Sequence, residues 1–194
     1  MIFEPTPLAG AWVLRPERHE DERGFFARTF CRREFAERGL DPDVAQASSS
    51  FNRRRGTVRG MHYQVAPDAE AKLVRCTRGA AFDAVVDLRD GSPTRGRHFA
   101  LVLSAEAGDQ LYVPPGLAHG FQTLEDATEV HYQISAFFAP ESARGFRYDD
   151  PEVAIPWPEA VTVVSERDLA LPAFAECPPP GVAAPEVAAP GGGE

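Results

Sequence analysis

The sequence predicts an all-β domain, a barrel or double-sheet jelly roll with a few short helices. Three observations carry this. Eighteen prolines and sixteen glycines in 194 residues break the chain too often for long helices. Between the breaks lie short runs in which apolar and polar side chains alternate, the period of a half-buried strand. These runs recur at regular spacing with turn residues between them, as in sandwiches and barrels.

The elements follow in order. Residues 9–15 read as a first strand, residues 21–24 as a charged turn and residues 25–30 as a second strand. Residues 31–39 form the best helix candidate, with Phe35 as apolar anchor and Gly39 as its stop. Residues 44–51 read as a strand with small polar residues at alternate positions, followed by the basic turn 52–56. Strands at 71–77 and 81–88 flank Arg78-Gly79-Ala80, a hairpin signal. In the second of these, Phe82, Ala84 and Val86 predict a core face, while Asp83 and Asp87 lie on the other. Residues 90–94 form a turn. Residues 98–104 are apolar on both faces, which predicts a strand sandwiched between sheets. Residues 111–116 end in a rigid Pro-Pro-Gly turn, residues 117–121 start the next strand, and residues 129–135 alternate again. Residues 144–158 read as irregular, with Trp157 as a packing anchor. Ser165 is an N-cap ahead of Glu166 and Asp168, so a short helix should start there. From Cys177 the chain turns to Pro, Ala and Gly, with no aromatic residue and no cation. The expected organisation is one domain over 1–176 and a disordered tail over 177–194.

Composition excludes several functions. A net charge of −9 argues against nucleic-acid binding, which needs a basic face. It leaves room for an anionic small ligand, because cations clustered in a cleft outweigh distant surface charge. No segment has the apolar length of a membrane span, and no signal-peptide pattern opens the chain. Three widely spaced cysteines without a CxxC pair fit a reducing compartment, so the expected location is the cytoplasm.

The chemistry concentrates around Arg59-Gly60-Met61-His62 and Lys72. Arg59 offers a charged fork of donors suited to phosphate oxygens. His62 can take and release protons near neutrality. Lys72 stands in an apolar run, where an ammonium is costly unless something anionic meets it. Strand alternation would aim Arg59 and His62, three residues apart, at opposite faces. A bulge is needed for them to share a site, and Gly60 would permit one. From these residues alone, Arg59 and Lys72 could equally be solvated face charges.

Pro114-Pro115-Gly116-Leu117-Ala118-His119-Gly120-Phe121 is typical of small cupin-like barrels. None of the five histidines forms the His-x-His pair of metal-binding cupins, so no metal site is expected. Asp21-Glu22-Arg23-Gly24-Phe25-Phe26, Val58 to Gln64, Lys72-Leu73-Val74-Arg75, Phe82-Asp83, Val86-Asp87-Leu88-Arg89, Ser92-Pro93-Thr94, Pro115 to Phe121, Tyr132, Trp157-Pro158 and Ser165-Glu166-Arg167-Asp168 resemble, in register, the dTDP-4-dehydrorhamnose 3,5-epimerase family.

The resemblance implies a cupin-like jelly roll, a homodimer, no metal or redox cofactor, and a nucleotide-diphospho-4-keto-6-deoxyhexose as substrate. It implies that His62 is the base, Asp168 its partner, Tyr132 the acid on the opposite ring face, and Lys72 the cation near an enolate oxygen. Arg59, His119 and Gln46 would line the substrate site, and Asp83 would balance and orient its cations. Arg23 and Phe26 would hold the nucleotide, partly across the dimer interface. Without the resemblance, Asp168 reads as a helix-start residue and Tyr132 as a core tyrosine. Two positions depart from the family pattern: Arg28 stands where a Glu is common, and Ala47-Ser48-Ser49-Ser50 where Asp-Asn-x-Ser is common. A cation cannot replace an acceptor, so thymidine, cytidine and other carriers stay open. A sugar-nucleotide-binding or isomerising cupin without epimerase activity is the alternative.

Overall fold

The computed structural model describes residues 1–184. In chain order the strands are β1 (Ile2–Pro5), β2 (Trp12–Arg15), β3 (His19–Asp21), β4 (Gly24–Phe26), β5 (Gln46–Asn52), β6 (Val58–Gln64), β7 (Lys72–Arg78), β8 (Ala80–Asp87), β9 (His98–Ser104), β10 (Gln110–Val113), β11 (Leu117–Thr123), β12 (Thr128–Ile134) and β13 (Ala143–Gly145). Helices α1 (Arg32–Ala36) and α2 (Glu166–Leu169) are short. None among the described residues is long and apolar enough to cross a membrane.

Two antiparallel sheets face each other, one ordered β1-β2-β10-β7-β12-β5 and the other β13-β6-β11-β8-β9. Strands β3 and β4 form a separate hairpin. The inward faces of both sheets meet in an apolar core that includes Val13, Val74, Val85, Leu103, Leu111, Phe121 and Val130. This is the jelly-roll arrangement the turn spacing predicts. A second cluster (Met61, Tyr63, Val86, Phe146, Ile155, Phe174 and Cys177) covers the outer face of the five-stranded sheet. A third packs α1 onto the six-stranded sheet through Phe35, Leu14, Leu73 and Tyr112.

Several expectations hold in detail. Helix α1 is shorter than residues 31–39, but Phe35 is its buried anchor. Gly39 stops it at φ +67°: Gly39 N–H donates to Ala36 O and Leu40 N–H to Phe35 O, a Schellman ending. Trp157 packs edge-on against Phe82 and donates its indole N–H to the Tyr148 carbonyl.

Others need correction. The first strand starts at Trp12 and pairs with β1, which the sequence hides because it is four residues long and ends in proline. The second strand stops at Phe26; Phe30 instead packs its ring 5.0 Å from Phe35. Strand β9 is not sandwiched but lies at the edge of its sheet, paired only with β8. Its Leu103 faces the core while Val102 is 52% exposed, so an edge strand also reads as apolar on both faces. The carboxylate face of β8 points into the protein: both faces of this strand are buried, and Asp83 and Asp87 have no exposed surface. Within residues 144–158, Gly145 closes the three-residue strand β13 against β6.

The first part of the expected tail packs on the domain. Residues 177–182 lie over the outer cluster, where Cys177 and Pro180 are buried. The Pro178 carbonyl accepts from the Tyr63 hydroxyl, and the Pro180 carbonyl from the Ala66 N–H. Prolines lack a donor but keep their acceptor, so a composition that looks unable to order is tied down through its carbonyls. The rest of the predicted tail, 185–194, lies outside the described residues.

Candidate active site

At one end of the barrel the apolar core gives way to polar side chains around a cavity of about 410 Å³. Strand alternation supplies its walls. Lys72 shares a face of β7 with the core residues Val74 and Cys76, and Tyr132 lies between Val130 and Ile134 on the inward face of β12. Gln46, Ser48 and Ser50 line it from β5, which accounts for the alternating small polar residues there.

Strand β6 brings Arg59 and His62 to the same side through the bulge that their spacing requires. His119 on β11 pairs with His62, but Phe121, two residues on, pairs with Arg59, three residues away on β6. The extra residue reverses the alternation. Gly60 sits there at φ +117°; a Cβ on it would lie 2.7 Å from Gly120 Cα and 2.8 Å from the His119 carbonyl. Only glycine fits this crossing.

Two His–Asp pairs serve the cavity. His62 Nε2 lies 2.8 Å from Asp168 Oδ1. A carboxylate accepts, so Nε2 carries the proton and Nδ1 keeps the lone pair. Asp168 Oδ2 accepts from the Gly60 N–H at 3.2 Å, and the Asp168 N–H donates to the Ser165 hydroxyl at 3.1 Å. Ser165 is thus the predicted N-cap of α2, and the cap also aims the carboxylate. Burial pushes the Asp168 carboxyl up, but the His62, Gly60 and Ser165 hydrogen bonds outweigh it and hold the group below its ordinary value. The second pair joins His119 Nε2 to both oxygens of Asp83, each at 2.9 Å. Asp83 therefore pairs with His119. The His119 ring stands edge-on to Tyr132, centroids 5.8 Å apart. Burial, then the Asp83 charge, raise the Tyr132 phenol above its ordinary value, and Arg59 opposes them. Arg59 donates from Nε to Asn52 Oδ1 at 2.7 Å, a neutral partner that leaves its charge for a ligand.

The dTDP-4-dehydrorhamnose 3,5-epimerase family matches residues 5–176. The chain belongs to this family. It is an isomerase of the carbohydrate-epimerase class. The epimerase is 43% identical over 179 residues to the dTDP-4-dehydrorhamnose 3,5-epimerase of Sinorhizobium fredii, covering 92% of each chain. Its fold is similar to the crystal structure of that enzyme from Elizabethkingia anophelis (TM-score 0.87, 38% identity, 90% of this chain and 97% of the other). It is also similar to NovW of Streptomyces spheroides, a 4-keto-6-deoxy sugar epimerase (TM-score 0.86, 38% identity, 91% and 88%).

Eight of the ten residues singled out in the epimerase sequence meet at this cavity: seven line it, and Asp83 stands behind His119. Arg23 and Phe26 do not. They lie on the β3–β4 hairpin outside it, with the Arg23 side chain 85% exposed and paired to Asp21, and Phe26 75% exposed. Sequence reasoning missed Asn52, Glu70, Arg144 and Arg167. Asn52 follows the alternation of β5 and could have been found that way. Arg167 adjoins Asp168 in the α2 motif. Glu70 precedes β7, and Arg144 is the middle of the three-residue β13, which is too short to show a period.

Proposed function

We propose that the epimerase inverts C3, C5 or both in a nucleotide-diphospho-4-keto-6-deoxyhexose of the dTDP-4-dehydro-6-deoxyglucose type. The C4 ketone acidifies the neighbouring C–H bonds. His62 Nδ1 takes the proton, the C–H electron pair moves into a C–C double bond, and the C4 oxygen becomes an enolate. Asp168 stabilises the imidazolium, and Lys72 meets the new negative charge. Tyr132 returns a proton to the same carbon from the other ring face, and solvent then resets both groups. Arg59, Arg144 and Arg167 at the cavity suit a diphosphate. The observation that carries this reading is the placement of the His62–Asp168 pair, Tyr132 and Lys72 around one opening.

In this reading the epimerase works as a cytoplasmic homodimer without a metal or redox cofactor. The exposed Arg23 and Phe26 reach the partner's nucleotide.

The test is solvent-deuterium uptake at C3 and C5 of dTDP-4-keto-6-deoxyglucose and its CDP analogue. Wild-type protein should exchange at least one position. His62→Ala should abolish uptake, and Tyr132→Phe should keep some uptake but lose inversion. Binding measured calorimetrically without uptake would point instead to a sugar-nucleotide-binding protein, a reading favoured by the departures at Arg28 and Ser48.

A further inference from the structure

Lys72 is the only lysine of the sequence; every other one of its 20 Lys and Arg side chains is arginine. The single ammonium stands inside the cavity with 11% of its side chain exposed. A guanidinium aims its donors through a rigid plane, whereas an ammonium on a four-carbon stem has no preferred direction of its own. Something else must fix it.

Glu70 meets that need. Its Oε1 lies 2.9 Å from Lys72 Nζ, its side chain is 10% exposed, and it lines the same cavity. Two residues apart in extended chain, the pair points to one side. The residue between them is pinned to the neighbouring strand end: the Ala71 N–H donates to the Ser135 hydroxyl at 2.9 Å, and the Ser135 N–H to the Ala71 carbonyl at 3.0 Å. Glu70 holds the ammonium as an ion pair, and the N–H donors of Lys72 remain for a ligand oxygen. A carboxylate gives an anionic sugar nucleotide no favourable contact of its own, and the ammonium of Lys72 is the group it meets in the cavity.

We propose that Glu70 is a positioning residue that holds the Lys72 ammonium aimed at the substrate's C4 oxygen. This rests on the epimerase reading above. Glu70 makes no bond to the reacting carbon and acts through Lys72 alone. It therefore governs the proton-transfer step and not the affinity for the nucleotide.

The sole lysine makes the test specific. Protein grown with [15N]lysine has one side-chain Nζ signal. In wild type it should be sharpened by the held ammonium, and in Glu70→Ala it should broaden through faster hydrogen exchange. Deuterium uptake by wild type, Glu70→Gln, Glu70→Ala, Lys72→Ala and the double alanine variant completes a mutant cycle. Glu70→Ala should lower kcat about 10- to 100-fold, less than the roughly 10²- to 10³-fold of losing an oxyanion donor outright, with the Kd for dTDP within about twofold. Glu70→Gln keeps an acceptor and should recover most of the rate; its match in volume also covers any folding defect of the alanine variant. In the Lys72→Ala background, removing Glu70 should cost nothing more. Uptake by Glu70→Ala at the wild-type rate overturns the proposal. So do losses that multiply in the cycle, or an equal loss of dTDP affinity. Wild-type protein that exchanges neither position removes the epimerase reading itself, and this role with it.

Discussion

Both cavity histidines give one ring nitrogen to a buried carboxylate, yet the two pairs are built for different work. Asp83 is sealed in the barrel and spends both oxygens on His119, which fixes the ring beside Tyr132. Asp168 divides its oxygens between His62 and a backbone N–H, and its His62 faces the opening. Asp168→Asn keeps an acceptor but removes the charge that stabilises imidazolium. Deuterium uptake should fall by about 10²- to 10⁴-fold, the range of general base catalysis, with dTDP affinity unchanged by calorimetry. Tyr132 makes a second prediction. Burial and the Asp83 charge hold the phenol protonated above its ordinary value of 10.0. The rate of inversion should therefore show no alkaline loss from this group up to about pH 10, read from product configuration by NMR across the pH series.

At the scale of elements, the β6–β11 crossing decides whether a site forms. Gly60→Ala would drive a methyl against the backbone of Gly120 and His119 at a φ that side chains avoid. The cost should be about 2–4 kcal/mol, measured by urea denaturation. Uptake should fall further than stability accounts for, because a relaxed bulge turns His62 away from Arg59. This crossing was legible in the sequence: an odd spacing between two residues of one site forces an extra residue, and a glycine stood between them. The α2 cap was legible too, since a serine ahead of two acidic residues has one common geometry. Strand β9 misled because apolar residues on both faces occur at an edge as well as in a sandwich. The partner of Asp83 was not legible, because His119 lies 36 residues away on an adjacent strand, and spacing along the chain says nothing about neighbours across a sheet. Glu70 escaped because its role depends on Lys72 turning back toward it.

For the whole molecule, two buried attachments hold the outer parts to the barrel. Asp87 binds the fully buried Arg89, and its carboxylate also accepts from Ser92 and Thr94, while Arg89 reaches the Ala9 carbonyl. Burial pushes the Asp87 carboxyl up, but these donors outweigh it and hold it at about 2, against an ordinary 3.8. Between those values the unfolded chain binds the extra proton, so this contribution is complete above about pH 4 and is lost as pH falls through about 2; it amounts to about 2 kcal/mol. Asp87→Asn should remove that acid slope from urea midpoints. At neutral pH it should cost about 3–5 kcal/mol, because Arg89 is left buried without its anion. The second attachment is the segment 177–182. Ending the chain after Glu176 would free the Tyr63 hydroxyl and the Ala66 N–H and uncover the apolar cluster beneath Cys177. Two lost hydrogen bonds and the exposed surface together come to about 2–4 kcal/mol, or roughly 5–12 °C in Tm for a chain of this size. The segment lies on the outer face of the five-stranded sheet and supplies no lining residue to the cavity. The truncated epimerase should therefore melt earlier in calorimetry yet keep its rate of deuterium uptake at 25 °C. A loss of rate equal to that of Gly60→Ala would mean instead that the segment props up β6 itself.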